Sequence, residues 1–354
     1  MEKDKALIRA KGQLSAAAVF LLLAVLGMLT WSGLALTAKA EIADNRMNEI
    51  VALTADSLVP NLLMTVMALG ALILALWIME RLGGMRMSAG LLALWLAAAL
   101  CFVWGIELQS RADCKQVVEA ARCFAQGDYS PLETDYFNVL SYQLGICLLL
   151  EGLARLVPGL DLNLLMQGVN AVLSVLTAGS LAALSAVLSG KRETGTAAVL
   201  LYAAFLPMAL FCVFVYGTLP MMLLCALAML CFVRYIRTRH WGFGVGYALL
   251  MGCALVVKPN AAVPLIALII CALLDVMESR DWKLLGFAVL SAILAVALPR
   301  AVTGLYELRS GVVLREDVSM LARLAMGMQE SPIASGSLSE KVKSDVFHHR
   351  EKRN

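Results

Sequence analysis

Residues 162–190 read LNLLMQGVNAVLSVLTAGSLAALSAVLSG, 29 consecutive positions without Asp, Glu, Lys, Arg or His, closed off by Asp161 and Lys191. A charge at the centre of a bilayer is costly, and ~20 apolar residues in a helix cross its hydrocarbon core. The stretch therefore predicts a transmembrane helix, and it sets the rule by which the rest of the chain is read. Towards the N-terminus, Arg86 to Glu107 leaves 20 uncharged positions, Asp56 to Glu80 leaves 23 and Lys11 to Lys39 leaves 27. Towards the C-terminus, Glu193 to Arg234 leaves 40, enough for two spans folded at Tyr216-Gly217-Thr218-Leu219-Pro220. Three shorter gaps follow, from Arg239 to Lys258, Lys258 to Asp275 and Lys283 to Arg300. The expectation is an all-α polytopic membrane protein of about nine transmembrane helices.

Composition agrees with that reading. The 354 residues are 61% hydrophobic and 16% charged, against ~45–50% and ~25% in a soluble domain, which excludes a water-soluble globular enzyme. The apolar run from Leu14 to Leu36 is too long for the core of a signal peptide and is read as a retained first helix. No basic stripe interleaved with aromatics appears, so nucleic acid is not an expected partner. Most of the nine cysteines lie in apolar stretches, where Cys acts as a small hydrophobe. Cys114 and Cys123, nine residues apart, would be separated by ~13 Å along a helix, so free thiols are expected.

Residues 136–150 are uncharged for only 15 positions before Glu151 and Arg155, a pair at i,i+4. The positive-inside rule decides whether they span. With nine spans and a cytoplasmic N-terminus, thirteen basic residues fall in compact inner segments, from Lys3, Lys5, Arg9 and Lys11 to Arg280 and Lys283. A tenth span would move the last seven outside. Residues 136–157 are accordingly read as an amphipathic or half-inserted helix at the outer surface. The chain then divides into a three-helix region (1–106), an outer loop with juxtamembrane helices (107–162), a six-helix bundle (163–302) and an outer C-terminal tail (303–354). The expected location is the plasma membrane.

The outer loop holds 8 of the 26 acids, whereas the predicted span interiors hold no Asp, Glu, Lys, Arg or His. Ion-coupled transporters place such groups near the midplane, so a transporter is disfavoured and any chemistry belongs at the outer surface. Ser110-Arg111-Ala112-Asp113 has the form of a capping box, opening a helix that runs to about Gln126 and stops at Gly127. Val117, Ala120, Ala121 and Phe124 share one face of it. Asp113 then stands where a juxtamembrane helix begins, within reach of a lipid-linked substrate; its alternative role is to complement the helix dipole.

The run from Ala112 to Ser130, with Asp113, Arg122, Gly127 and Asp128, followed by Tyr136, Tyr142-Gln143 and Gly145, resembles the first large extracytoplasmic loop of bacterial GT-C membrane glycosyltransferases. These are relatives of protein O-mannosyltransferases and of the aminoarabinose transferases that modify lipid A. Phe214-Val215-Tyr216-Gly217 with Pro220, Val257-Lys258-Pro259-Asn260, and Leu324-Ala325-Met326-Gly327-Met328-Gln329 are also similar to that group. The resemblance covers about residues 85–335. It implies an enzyme that takes a sugar from a polyprenyl-phosphate carrier and passes it, with inversion, to a hydroxyl of an acceptor glycan, lipid or protein. Asp113 would then be the general base.

The departing phosphate needs a cation at the same depth. Lys258 is the best placed, with Asn260 as an added donor and Arg111 and Lys115 as fallbacks. Lys258 as a loop residue snorkelling to headgroups is the competing reading. Asp135, Tyr136, Tyr142, Gln143 and Tyr216 are candidate pocket residues; as interfacial anchors they would need no function. Members of the group often carry an acid after the Tyr-Gly pair, and here that position is Thr218, so no metal ligand is assigned and no cofactor is expected. His348-His349 is a weak metal signal. Val318, Leu321, Leu324, Ala325 and Met328 read as one face of an outer amphipathic helix. Beyond Ser335 the resemblance ends, and the tail reads as a truncated terminus. The second functional reading is an inactive relative, or a non-enzymatic membrane subunit for lipid or polymer translocation.

Overall fold

The computed structural model describes residues 2–42 and 49–314; the expectations for the helix at 318–328 and for the tail lie outside the described residues. The described elements are α1 (Glu2–Ala35), β1 (Leu36–Ile42), β2 (Glu49–Ala55), α2 (Leu58–Arg81) and α3 (Gly84–Ile106), then α4 (Ala112–Ala125), α5 (Asp135–Val139) and α6 (Leu144–Leu156). There follow α7 (Leu162–Ser189), α8 (Arg192–Ala204), α9 (Pro207–Val213), α10 (Thr218–Thr238), α11 (Trp241–Val257), α12 (Ala262–Ser279) and α13 (Trp282–Ser310). They fall into two compact units, one ending at Ala71 and the other running from Leu72.

In the first unit β1 and β2 pair antiparallel, from Leu36 opposite Ala55 to Ile42 opposite Glu49. This is the one departure from an all-α expectation among the described residues. Apolar and polar residues alternate along β1 at period two, in the segment that the charge-gap reading left as a plain connector. A two-stranded pair is marginal alone in water. Here Thr37 donates to Asp56 at 2.6 Å, and Asn61 donates from the start of α2 to the Leu34 carbonyl at 2.9 Å.

Among the described residues seven helices are long and apolar enough to cross a membrane: α1 over Ala16–Ala35, α2, α3, α7, α10, α12 and α13. The pair α8 and α9 passes the same test only when taken together, bent by 66° at its break, and α11 is a shorter apolar helix. Together they give the nine segments expected, in the expected order. In the second unit successive helices join through short turns. Residues 107–161, the turn before α10 and the turn between α11 and α12 therefore gather at one end, called here the loop end. The turns carrying Lys191, Arg192, Arg239, Arg280 and Lys283 gather at the other.

The end of α9 matters because lipid cannot satisfy freed backbone carbonyls. A polar stripe on α7 does so. Asn163, Gln167, Asn170, Ser174 and Thr177 recur at i+3/i+4 spacing and are all buried. Asn170 donates to the Cys212 and Phe214 carbonyls at 3.2 and 3.3 Å. Gln167 donates to Leu108 at 2.7 Å and to Val213 at 3.2 Å, tying the exit of α3 to the exit of α9.

At the loop end α4 docks on the bundle. Val117, Ala120, Ala121 and Phe124 are completely or almost completely buried, packed in one core with Ile146 and Leu150 of α6 and Tyr306 of α13. The helix ends where expected, at Gly127 with φ +82°. The capping box is not formed: Arg111 takes the cap position and makes no side-chain capping bond to α4, and the Ser110 hydroxyl is drawn instead to Asn163 Oδ1. The 13 residues of α6 make ~20 Å of helix, too short for a ~30 Å hydrocarbon core.

Helix α13 continues through Pro299 to Ser310, well past the span read from charge gaps, and so reaches α6. Buried Glu151 accepts there from Tyr306 Oη at 2.6 Å, Arg309 at 3.2 Å and its i,i+4 partner Arg155 at 2.7 Å. Glu151→Gln is expected to lower stability by about 1–2 kcal/mol, a modest loss because both guanidiniums are a third to a half exposed and screened by water. Thermal unfolding of the purified chain in detergent measures it.

Candidate functional site

The tie made by Gln167 has a direct consequence for chemistry. Leu108 is five residues before Asp113, and Val213 is three before Tyr216. Clamping those two carbonyls on one amide therefore brings an α4 carboxylate and a loop tyrosine together. Tyr216 Oη donates to Asp113 Oδ2 at 3.0 Å and itself accepts from Gln143 Nε2, a buried amide in the 3-10 turn before α6.

The loop that carries Tyr216 turns at Gly217, with φ +73°. A Cβ there would sit 3.0 Å from Val257 Cγ1 and 3.1 Å from the Val257 carbonyl. Glycine thus permits both the turn and the close approach of the α11 end, whose next residue is Lys258. The Lys258 ammonium donates to the Tyr216 carbonyl at 3.2 Å and to Thr218 Oγ1 at 2.9 Å, and lies 4.6 Å from the centre of the Tyr216 ring.

Electrostatically the cluster is uneven. Asp113 is exposed and Lys258 half-buried. Burial pulls the Lys258 ammonium below the usual lysine range, and its hydrogen-bond acceptors are neutral oxygens. Among the described residues no carboxylate forms a salt bridge with it. Burial pushes the Tyr216 hydroxyl up, with Tyr142 and the Asp113 carboxylate adding to the shift, so this phenol stays protonated and remains a donor to Asp113. Tyr136 is shifted in the same direction, by burial and then by Asp113; its hydroxyl is enclosed without a hydrogen-bond partner. Burial, then Asp113, raises the Cys114 thiol to about 11, so it stays neutral at physiological pH.

Five of the residues singled out from sequence, Asp113, Tyr216, Gln143, Lys258 and Tyr136, thus come together from four separate segments, with Tyr142 beside them. Others stand apart. Asn260 is exposed in the turn after Lys258. Lys115 pairs with Glu119 at 3.7 Å on the open surface, a contact worth little. Arg111 is exposed at the α4 cap, and Asp135 opens α5. No group of three or more His, Cys, Asp or Glu among the described residues is placed to hold a metal ion. A cavity of about 520 Å³ at the basic end, lined by Glu80, Arg192 and Glu193 among others, is remote from Asp113.

The residues that sequence reasoning missed are Gln167, Asn170 and Asn163, which position the cluster without belonging to it. Their signal was present as amides at helical spacing in the quoted stretch. A search restricted to ionisable residues passes over it.

Fold and site together define an α-helical polytopic integral membrane protein with a polar cluster at one end of its bundle. Residues 11–315 match the family model described as conserved hypothetical integral membrane protein, and the chain belongs to that family. Comparison with curated proteins and with solved structures gave no match.

Proposed function

We propose that the chain transfers a sugar from a polyprenyl-phosphate carrier to an acceptor hydroxyl at the outer face of the plasma membrane, with the N-terminus cytoplasmic. The observation that carries this reading is the pairing, through Tyr216, of an exposed carboxylate with a half-buried cation that has no carboxylate partner among the described residues. Asp113 takes the proton of the acceptor hydroxyl as the new bond forms at the anomeric carbon. The carrier phosphate leaves with the electron pair of the broken bond, and Lys258 stabilises the negative charge it gains. Tyr216 and Gln143 orient the base. Inversion requires the base and the departing phosphate on opposite faces of the sugar.

The GT-C resemblance of Asp113, Tyr216-Gly217 and Lys258-Pro259-Asn260 supports the same reading. Lys258 supports this reading, because a half-buried ammonium with only neutral acceptors is suited to receive an anion. The test is transfer from synthetic polyprenyl-phosphate hexoses and pentoses by the full chain in nanodiscs. An active chain is expected to lose kcat/KM as pH rises, at lower pH than an ordinary lysine would dictate, because the ammonium is lost above its lowered pKa. Thr218→Asp places an anion beside Lys258. It should move that limb to higher pH while weakening capture of the carrier roughly tenfold. A limb that does not respond to Thr218→Asp removes Lys258 from the mechanism.

A further inference from the structure

A second cavity, of about 420 Å³, lies at the loop end between the last turns of α4 and α6 and the first turns of α7. Its polar wall is formed by Arg122, Gln126 and Arg155, and its apolar wall includes Leu160, Leu162 and Leu165. It shares no lining residue with the Asp113 cluster. We propose that it binds the phosphate of an anionic phospholipid headgroup, gripped by Arg122 and Arg155.

The two guanidiniums are fixed before any ligand arrives. Arg122 Nη2 donates to Asp161 Oδ2 at 2.9 Å, and Asp161 is held in turn by the Leu164 amide at the cap of α7. Arg155 Nη2 bonds Glu151 at 2.7 Å and the Phe124 carbonyl at 3.1 Å. These bonds use a single nitrogen of each fork. Nη1 and Nε of both arginines have no hydrogen-bond partner among the described residues, and both side chains are about half exposed. A planar fork with free edges is the group that matches phosphate oxygens pairwise.

Charge balance points the same way. Asp161 offsets Arg122, but Glu151 is shared between Arg155 and Arg309, which leaves one positive charge in excess. Depth then selects an amphiphile. Leu162 and Leu165 belong to the first turns of a membrane-crossing helix, which puts the cavity at headgroup level. The turn beside it exposes Leu156 at 79% and Leu160 at 61%. Such apolar side chains suit an acyl boundary and are poorly suited to water. A ligand with an anionic head and an apolar tail satisfies both walls at once; a free phosphate satisfies only one.

The experiment uses the purified full chain in neutral detergent, with dioleoyl phosphatidylglycerol or dioleoyl phosphatidylcholine titrated in and bound lipid counted by native mass spectrometry. The wild-type chain should retain one phosphatidylglycerol, with phosphatidylcholine roughly tenfold weaker. Arg122→Gln should lose that preference by roughly tenfold. Arg122→Lys, which keeps the charge but not the fork, should fall between them. Arg280→Gln at the basic end controls for bulk electrostatics and should match wild type. Equal retention of the two lipids by wild type, or equal loss in Arg122→Gln and Arg280→Gln, overturns the proposal. Displacement of phosphatidylglycerol by millimolar inorganic phosphate would assign the forks to a soluble anion and overturn the lipid assignment. Because Arg122→Gln changes no group in the Asp113 cluster, these outcomes are independent of sugar transfer.

Discussion

Asp113→Asn is expected to lower sugar transfer by roughly 10²–10⁴-fold, the range that a positioned general base supplies. The substitution keeps shape and leaves Oδ1 of the amide as an acceptor for the Tyr216 hydroxyl, which donates at 3.0 Å in the native chain. The cluster should therefore hold together while the proton acceptor is gone. The carrier is expected to bind the variant nearly as well as wild type, since Lys258 and its bonds to Tyr216 and Thr218 are untouched. The signature is a fall in kcat with KM for the polyprenyl-phosphate sugar little changed. It is read from initial rates in nanodiscs, with expression and melting temperature matched between the chains. Full transfer activity in a well-folded Asp113→Asn chain would remove this carboxylate from the chemistry. Absence of transfer by wild type across hexose and pentose carriers would favour a non-enzymatic role for the scaffold.

The second large effect is structural and concerns Gly145, at the start of α6. A Cβ built there would stand 1.7 Å from the Val256 carbonyl oxygen and 2.6 Å from its carbon. Helix α6 and the end of α11 touch backbone to backbone at this point, and the obstacle is main chain that no rotamer change can clear. Gly145→Ala should cost about 3 kcal/mol, the upper part of the usual range for overpacking, read as a large fall in melting temperature. The same helix supplies its own control. Nothing lies within 4 Å of a Cβ at Gly152, so Gly152→Ala should be neutral or stabilise by up to about 1 kcal/mol through helix propensity. Val257 and Lys258 follow directly on Val256, so Gly145→Ala should also displace the ammonium and depress transfer in whatever fraction remains folded. A melting temperature equal in the two variants would show that α6 and α11 are not in contact at this point.

How much of this could be read in advance differs from segment to segment. The spans were legible because a bilayer penalises isolated charges so strongly that their absence over ~20 residues leaves few alternatives. The buried face of α4 was legible from helical spacing. The capping box was misread because Ser110 has a competing partner in Asn163, 53 residues away, and local motifs do not register such competition. The β1–β2 pair was missed because charges in a connector were taken as the end of structure. The extension of α13 through Pro299 was missed for a related reason: Arg300 closed the uncharged window, although a helix that has left the hydrocarbon can carry charges.

The candidate site divides along the same line. Asp113, Tyr216 and Lys258 were each singled out by residue type and motif, yet nothing local joins residues 103 and 42 positions apart. Sequence alone determined that this chain crosses a membrane many times and keeps its charged groups at the ends of the crossings, because that follows from the free energy of charge in hydrocarbon. Only the tertiary structure decided which of those end groups meet. That decision rests on Gln167 holding the Leu108 and Val213 carbonyls, on Gly145 and Gly217 admitting the end of α11, and on Glu151 fastening α6 to α13. Each is a contact between distant segments, whose energy appears only once the helices are packed.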